Sequence, residues 1–189
     1  MNDFSEGFWK DTHVTVTGGA SFIGSHLVDK LVSLGSNVSV IDNLSSGKKE
    51  NLSKSWEKID FKKNDLEYII KSELNDLFKD QEIVFHLAAV HGGRGFITKH
   101  PADVSSNVSI DHHVFEACMN TDVNNLVFAS TACVYPTELQ NEIGSDYKLK
   151  EEDSDPLKLD GYMSADIEYG WGKLMSEMQL HAFRKQYGL

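Results

Sequence analysis

The 189-residue chain has little proline, little cysteine, no long apolar run and a shortage of positive charge, and each deficit excludes a class of protein. Three prolines and no low-complexity segment argue against a disordered or proline-rich chain. The two cysteines, Cys118 and Cys133, lack the number and spacing of a disulfide framework or a metal site, so no metal is expected and a reducing, cytoplasmic compartment is. No stretch approaches the roughly 20 apolar residues that span a bilayer. Met1 to Lys10 carries acidic residues without the apolar centre of a signal peptide. Lys and Arg number 18 against 29 Asp and Glu, a net charge of −11, which argues against nucleic acid or an anionic membrane as partner.

What is present, 40% hydrophobic and 25% charged residues over a length that suits one core, is the balance of a single globular domain. Strand-like and helix-like patterns alternate. His13 to Thr17 is β-branched and ends in a glycine pair; Phe22 to Leu34 repeats apolar residues at helical spacing until Gly35. Val38 to Ile41, Lys58 to Phe61, Glu82 to Ala89 and Asn125 to Ser130 read as further strands. Leu66 to Phe78, Pro101 to about Met119 and Ala165 to Gln186 read as helices. The polar stretch from Thr131 to Ser164 is too long for a simple connection and is read as functional. Strict alternation predicts an α/β fold, a doubly wound parallel sheet with helices on both faces, whose ligands bind beyond the carboxyl ends of the strands.

The first strand-to-helix turn reads Thr17-Gly18-Gly19-Ala20-Ser21-Phe22-Ile23-Gly24. Glycine there permits a tight turn, lets backbone approach a pyrophosphate and packs helix on strand, while the helix N-terminus supplies N–H donors. Asp42 ends the second strand, where a carboxylate accepts from both adenosine ribose hydroxyls and repels a 2′-phosphate, favouring NAD over NADP. Tyr169 and Lys173 stand at i and i+4 on one helix face. A free tyrosine titrates near 10; a lysine ammonium beside it and the positive charge of a nicotinamide both favour phenolate and would make it a base for a sugar hydroxyl.

These residues resemble the extended short-chain dehydrogenase/reductase family. Val16–Gly24 looks like its glycine signature, with Ser21 replacing the middle glycine and adding bulk beside the pyrophosphate. Asp42, Asn43, Ser45 and Gly47 match its ribose segment, Asp65 and Leu66 its adenine-side pair, and Leu87, Ala88 and Ala89 the turn after the fourth strand. Asn107 falls where the family has an asparagine beside the cofactor. The resemblance implies a Rossmann-like sheet, NAD held by Gly18, Ser21, Phe22, Ile23 and Gly24 with those residues, and Tyr169 and Lys173 serving both cofactor and catalysis. It also implies a homodimer through a helix bundle, for which the apolar faces of the helices over 103–119 and 165–186 are suited.

Thr131 aligns with the family's hydroxyl partner of the reacting oxygen, with Ser130 as an alternative. Thr131-Ala132-Cys133 lacks the carboxylates of the family's sugar dehydratases. Cys133 followed by Val134-Tyr135-Pro136 is similar to the GDP-mannose 3,5-epimerase and GDP-fucose synthase branches, where cysteine moves a proton next to a ketone; a small buried hydrophobe is the plainer alternative. Gly92-Gly93-Arg94-Gly95-Phe96-Ile97 is similar to the sugar loop of the first branch. Gly92, Gly93 and Arg94 are thus candidate substrate contacts, with Arg94 either on phosphate or solvated. His91 is left open, and His112-His113 is read as a surface pair.

The expectation is an NAD-dependent nucleotide-sugar epimerase working through a transient 4-keto sugar, a GDP-sugar being favoured. A GDP-fucose synthase-like epimerase-reductase, a simple 4-epimerase and a non-catalytic NAD-binding module are the alternatives. The chain stops where the family enters its sixth strand, so a single NAD-binding domain over 1–189, active-site loop 131–168 included, with the substrate domain largely absent and little activity of its own, is expected.

Overall fold

The computed structural model describes residues 6–121, 123–140, 146–155 and 165–189. Five strands, β1 (His13–Thr17), β2 (Asn37–Ile41), β3 (Ile59–Lys62), β4 (Ile83–His86) and β5 (Asn125–Phe128), form one sheet in the order β3-β2-β1-β4-β5, every pair parallel. The register sets Thr17 opposite both Ile41 and His86, so β1, β2 and β4 end at one level. Chain order reverses direction across β1 and β4, which makes the switch point at which such sheets open a ligand crevice.

Among the described residues seven helices accompany the sheet: α1 (Phe22–Ser33), α2 (Lys71–Phe78), α3 (Arg94–Lys99), α4 (Pro101–Ser105), α5 (Asn107–Asn120), α6 (Thr137–Gln140) and α7 (Ile167–Tyr187). Strand alternation produces two cores. Val14, Val16, Val38 and Val40 face Val28 and Leu31 of α1; on the other side Ile41 and Val84 meet Phe78, Val114, Phe115 and Cys118. Strands buried on both faces explain the near-continuous β-branched runs. The expected doubly wound sheet with helices on both faces is what is found. Ser21 caps α1, its hydroxyl accepting from Gly24 N at 3.1 Å, and Gly35 leaves the helix at φ +87°.

Three expected elements differ. The helix read over 66–78 begins only at Lys71, because Asp65 accepts from Glu67 N and organises a turn first. The helix read from Pro101 breaks at Ser106, where the Asn107 side chain takes the Val104 carbonyl. The glycine-rich segment read as a loop contains α3, which starts after Gly93. The stretch expected to carry an active-site loop opens with a 3-10 turn at Ala132–Val134 and α6; residues 141–145 and 156–164 lie outside the described residues.

Candidate active site

The cleft at the ends of β1, β2 and β4 is lined by Gly18, Ser21, Asp42, Asn43, Ser45, Asp65, Leu66, Leu87, Ala88 and Ala89. Gly18 has φ +70°, and a Cβ there would stand 2.8 Å from Ala88 N, so only glycine lets the two strand ends meet. At Gly24 a Cβ would stand 2.8 Å from the Gly19 Cα, which seats α1 directly on the turn. Phe22 and Ile23, 77% and 71% exposed, open the helix with their first-turn N–H groups at the cleft rim. Ser21 points its hydroxyl into its own helix turn, so the substitution for glycine serves as a cap.

Asp42 is 7% exposed; one carboxylate oxygen accepts from Ala20 N at 2.9 Å and the other from Leu44 N at 2.8 Å. A carboxylate oxygen can accept more than one hydrogen bond, and Asp42 lines the cleft. A Cβ on Gly47 would come within 3.0 Å of that carboxylate. Asn43 bridges Asp65 at 2.9 Å and accepts from Ser45 N, tying the two acidic edges together. A deep glycine turn, a helix start and a buried carboxylate one strand away form a cradle that can hold a dinucleotide. Asn107, completely buried, spends its amide on Val90 N, Val90 O and Val104 O: it anchors the segment after β4 and stands behind the cleft.

The other candidates gather beyond β5. Thr131 caps the 3-10 turn, accepting from Cys133 N at 3.2 Å. The Cys133 carbonyl accepts from Asp166 N at 2.8 Å, and a Cβ on Gly170 would overlap that carbonyl. Glycine at 170 therefore lets the Tyr169 turn of α7 lie against the cysteine turn. Ser130 instead hydrogen-bonds Glu177. Arg94, reached from the sugar-loop resemblance, forms a two-bonded ion pair with Asp166, the residue before α7. Its guanidinium thus binds α3 to the start of α7 while the side chain stays mostly exposed to solvent. Gly92 packs under Phe96, whereas a Cβ on Gly93 would meet nothing.

The electrostatics depart from expectation. Burial pushes the Tyr169 phenol up from the usual tyrosine value, and the Cys133 and Asp111 charges push the same way. A lowered value was expected from Lys173. Lys173, 2% exposed, pairs with Asp111 at 3.3 Å, which offsets its charge at Tyr169 and leaves the nicotinamide's charge as the other expected contribution. Burial likewise lowers Lys173, with Asp111 opposing. Asp111 also takes His86 Nε2 at 2.9 Å, and His86 Nδ1 meets the Thr17 hydroxyl at 2.7 Å. Sequence reading missed His86 and Asp111. Asp111 lies four residues after Asn107 on the buried face that includes Ile110, Val114 and Cys118, and that spacing was the available signal.

A family model described as the NAD dependent epimerase/dehydratase family matches residues 14–189. The chain belongs to this family. It is 31% identical over 93% of its length to a putative UDP-glucose 4-epimerase of Methanocaldococcus jannaschii, covering 52% of that protein. It is 29% identical over 97% of its length to a GDP-mannose 3,5-epimerase of rice (Oryza sativa subsp. indica), covering 46%. Among solved structures, UDP-glucose 4-epimerase of Thermus thermophilus in complex with NAD superposes with a TM-score of 0.75 at 30% identity, over 94% of this chain and 52% of that one. The chain spans about half the length of the relatives it matches. Among the described residues no helix is long and apolar enough to cross a membrane, and no group of side chains is arranged for a metal ion.

Proposed function

We propose that the chain carries the NAD site and the Tyr–Lys centre of a nucleotide-sugar epimerase that works through a transient 4-keto sugar. The observation that carries this is the convergence of two constellations on the carboxyl ends of one sheet. The glycine turn with Asp42 lies at β1 and β2, and Thr131, Cys133, Tyr169 and Lys173 lie beyond β5. Gly18, Ser21 to Gly24, Asp42, Asn43, Ser45, Gly47, Asp65, Leu66 and Leu87 to Ala89 would hold the cofactor, with Asn107 fixing the wall behind. Bound NAD would supply reversible oxidation at the sugar carbon. Tyr169 would take and return the hydroxyl proton, Thr131 would hold the reacting oxygen, and Lys173 would donate to the cofactor ribose.

The same reading gives Cys133 the proton next to the ketone. Its turn is seated against the start of α7 at Asp166 and Gly170, beside Tyr169, and the thiol is only half-buried, which supports a position inside the reacting centre over that of an inert core thiol. GDP-mannose is the preferred substrate class for this reason, and the kinship with UDP-glucose 4-epimerases keeps a simple C4 inversion as the second reading. Gly92 and Gly93 would approach the sugar, with Arg94 acting through Asp166. Apolar side chains such as Trp171 and Met175 stand exposed on α7 and suit a homodimer.

Calorimetric titration of NAD and NADP tests the cofactor half: NAD is expected to bind and NADP to bind at least tenfold more weakly, the order to be expected of a buried carboxylate. Equal affinity for the two, or none for NAD, overturns it. Incubation of GDP-mannose and of UDP-glucose with NAD and this chain joined to the remaining half of a relative, in deuterated water, tests the chemistry, since little activity is expected of the 189 residues alone. Deuterium at C3 or C5 supports the cysteine role; C4 inversion without label selects the second reading; no change in either sugar refutes both.

A further inference from the structure

A buried chain of four polar side chains runs under the candidate centre, and no step assigned above uses most of it. Thr17 at the end of β1, His86 at the end of β4, Asp111 on α5 and Lys173 on α7 are each 2% exposed or less. His86 Nδ1 lies 2.7 Å from the Thr17 hydroxyl, His86 Nε2 lies 2.9 Å from Asp111 Oδ1, and Lys173 Nζ lies 3.3 Å from Asp111 Oδ2. The Thr17 oxygen also accepts from Ala88 N at 3.2 Å. Lys173 Nζ sits 4.3 Å from the centre of the Phe128 ring.

One assignment of protons satisfies every partner. Thr17, already accepting from Ala88, donates to Nδ1; His86 is neutral with its proton on Nε2 and donates to Asp111; Asp111 is a carboxylate and Lys173 an ammonium. The cluster then has no net charge, as burial requires. Burial does push His86 below the ordinary histidine value; burial also pushes Asp111 up, but His86, Lys173 and Ser176 together overcome it and hold Asp111 low. Lys173 is faced by Asp111 from α5, by His86 behind it, by the Phe128 ring from β5, and by Tyr169 and Glu177 of its own helix. Asp111 is the carboxylate its ammonium bonds.

We propose that Asp111, oriented by His86, is a positioning residue that holds Lys173 as a buried ammonium with its Nζ fixed one helical turn from Tyr169. An ammonium has three donors. One goes to Asp111 and the charge faces the Phe128 ring, which leaves two donors uncommitted to Asp111. The arrangement also couples the glycine turn to the lysine, because Thr17 precedes Gly18. The use made of Lys173 rests on the reading above; the network stands in the chain alone.

The test therefore needs neither cofactor nor substrate. In protein labelled with 13C at lysine Cε, the Lys173 resonance, identified by its loss in Lys173→Gln, is followed against pH. Asp111→Asn is expected to lower its midpoint by about one to three pH units, the span an adjacent opposite charge accounts for, and Asp111→Glu to restore most of the shift. An unchanged midpoint in folded Asp111→Asn overturns the proposal. Should that variant not fold, long-range 1H–15N spectra of the native chain decide: His86 is expected neutral with its proton on Nε2 from about pH 5.5 to 8. A proton on Nδ1, or titration like a free histidine, overturns it. NAD affinity unchanged by Asp111→Asn while the lysine midpoint moves would count against the cofactor role of Lys173 and leave the positioning intact.

Discussion

Gly170 and Gly172 lie two residues apart in α7 and flank Trp171, yet their surroundings are opposite. A methyl at 170 would overlap the Cys133 carbonyl and stand 3.2 Å from the Cys133 Cβ; a methyl at 172 would meet only Val108 Cγ2, at an ordinary 3.6 Å. Replacing glycine by alanine inside a helix contributes up to about 1 kcal/mol through backbone entropy and propensity. Forcing an extra carbon into packed backbone costs about 1–3 kcal/mol. Gly172→Ala is therefore expected to stabilise by up to about 1 kcal/mol, and Gly170→Ala to lose about 0–2 kcal/mol after the same gain. Since the helix contribution is common to both, their difference, about 1–3 kcal/mol, isolates the seating of the Tyr169 turn on the cysteine turn. Urea unfolding followed by circular dichroism measures it as a difference in midpoint at constant slope. If Gly170→Ala proves as stable as Gly172→Ala, the close approach of α7 to Cys133 is wrong, and with it the juxtaposition of Cys133 and Tyr169.

Asp42→Asn should weaken NAD binding by about ten- to a hundredfold, the range of about 1.5–3 kcal/mol for hydrogen bonds to a charged group, read by calorimetry; unchanged affinity would separate Asp42 from the cofactor. His86 is held neutral in the folded chain and charges on unfolding, so the unfolded state binds the extra proton: stability is expected to fall as pH drops below about 6.5, by at most about 1.4 kcal/mol per unit from this residue. His86→Gln should flatten that part of the urea profile. Burial pushes the Cys118 thiol up while Cys133 is only half-buried, so iodoacetamide is expected to modify Cys133 alone in the native chain and both in urea, counted by mass spectrometry. Two native equivalents reacting together would contradict the burial of Cys118.

The sheet was legible because its strands are buried on both faces, and β-branched runs such as His13–Thr17 have no rival reading once a glycine pair ends them. The cofactor cleft was legible for a related reason: Gly18 and Asp42 occupy positions that the topology forces to the same end of the sheet. Helix limits were less so. Asp65 accepts from Glu67 N two residues on, and Asn107 divides its amide between Val104 O, three residues back, and Val90, 17 residues away; such side chain-to-backbone bonds end helices without changing the apolar periodicity. Arg94 is the sharpest case, since its partner Asp166 is 72 residues away and only the folded chain brings them together.

The same limitation accounts for the misjudged electrostatics of the Tyr–Lys pair. Helical spacing puts Tyr169 and Lys173 on one face, and from spacing alone the ammonium should ease ionisation of the phenol. Burial changes the sum. An ammonium at 2% exposure is tolerable only with a counter-ion, and the counter-ion, Asp111, bears on Tyr169 with the opposite sign. A lysine sufficiently buried to be held in place is thus one whose charge is spent locally. In the resting chain Lys173 then contributes orientation and a hydrogen-bond donor, and the extra positive charge that would draw the proton off Tyr169 has to arrive with the oxidised nicotinamide. Tyr169 is accordingly expected to become a stronger acid when NAD binds, and Asp111→Asn to lower its midpoint with or without NAD while Lys173 stays protonated. Ultraviolet difference titration of the phenolate, with and without NAD, measures this; a Tyr169 midpoint indifferent to NAD would mean that the phenol and the cofactor do not share a site.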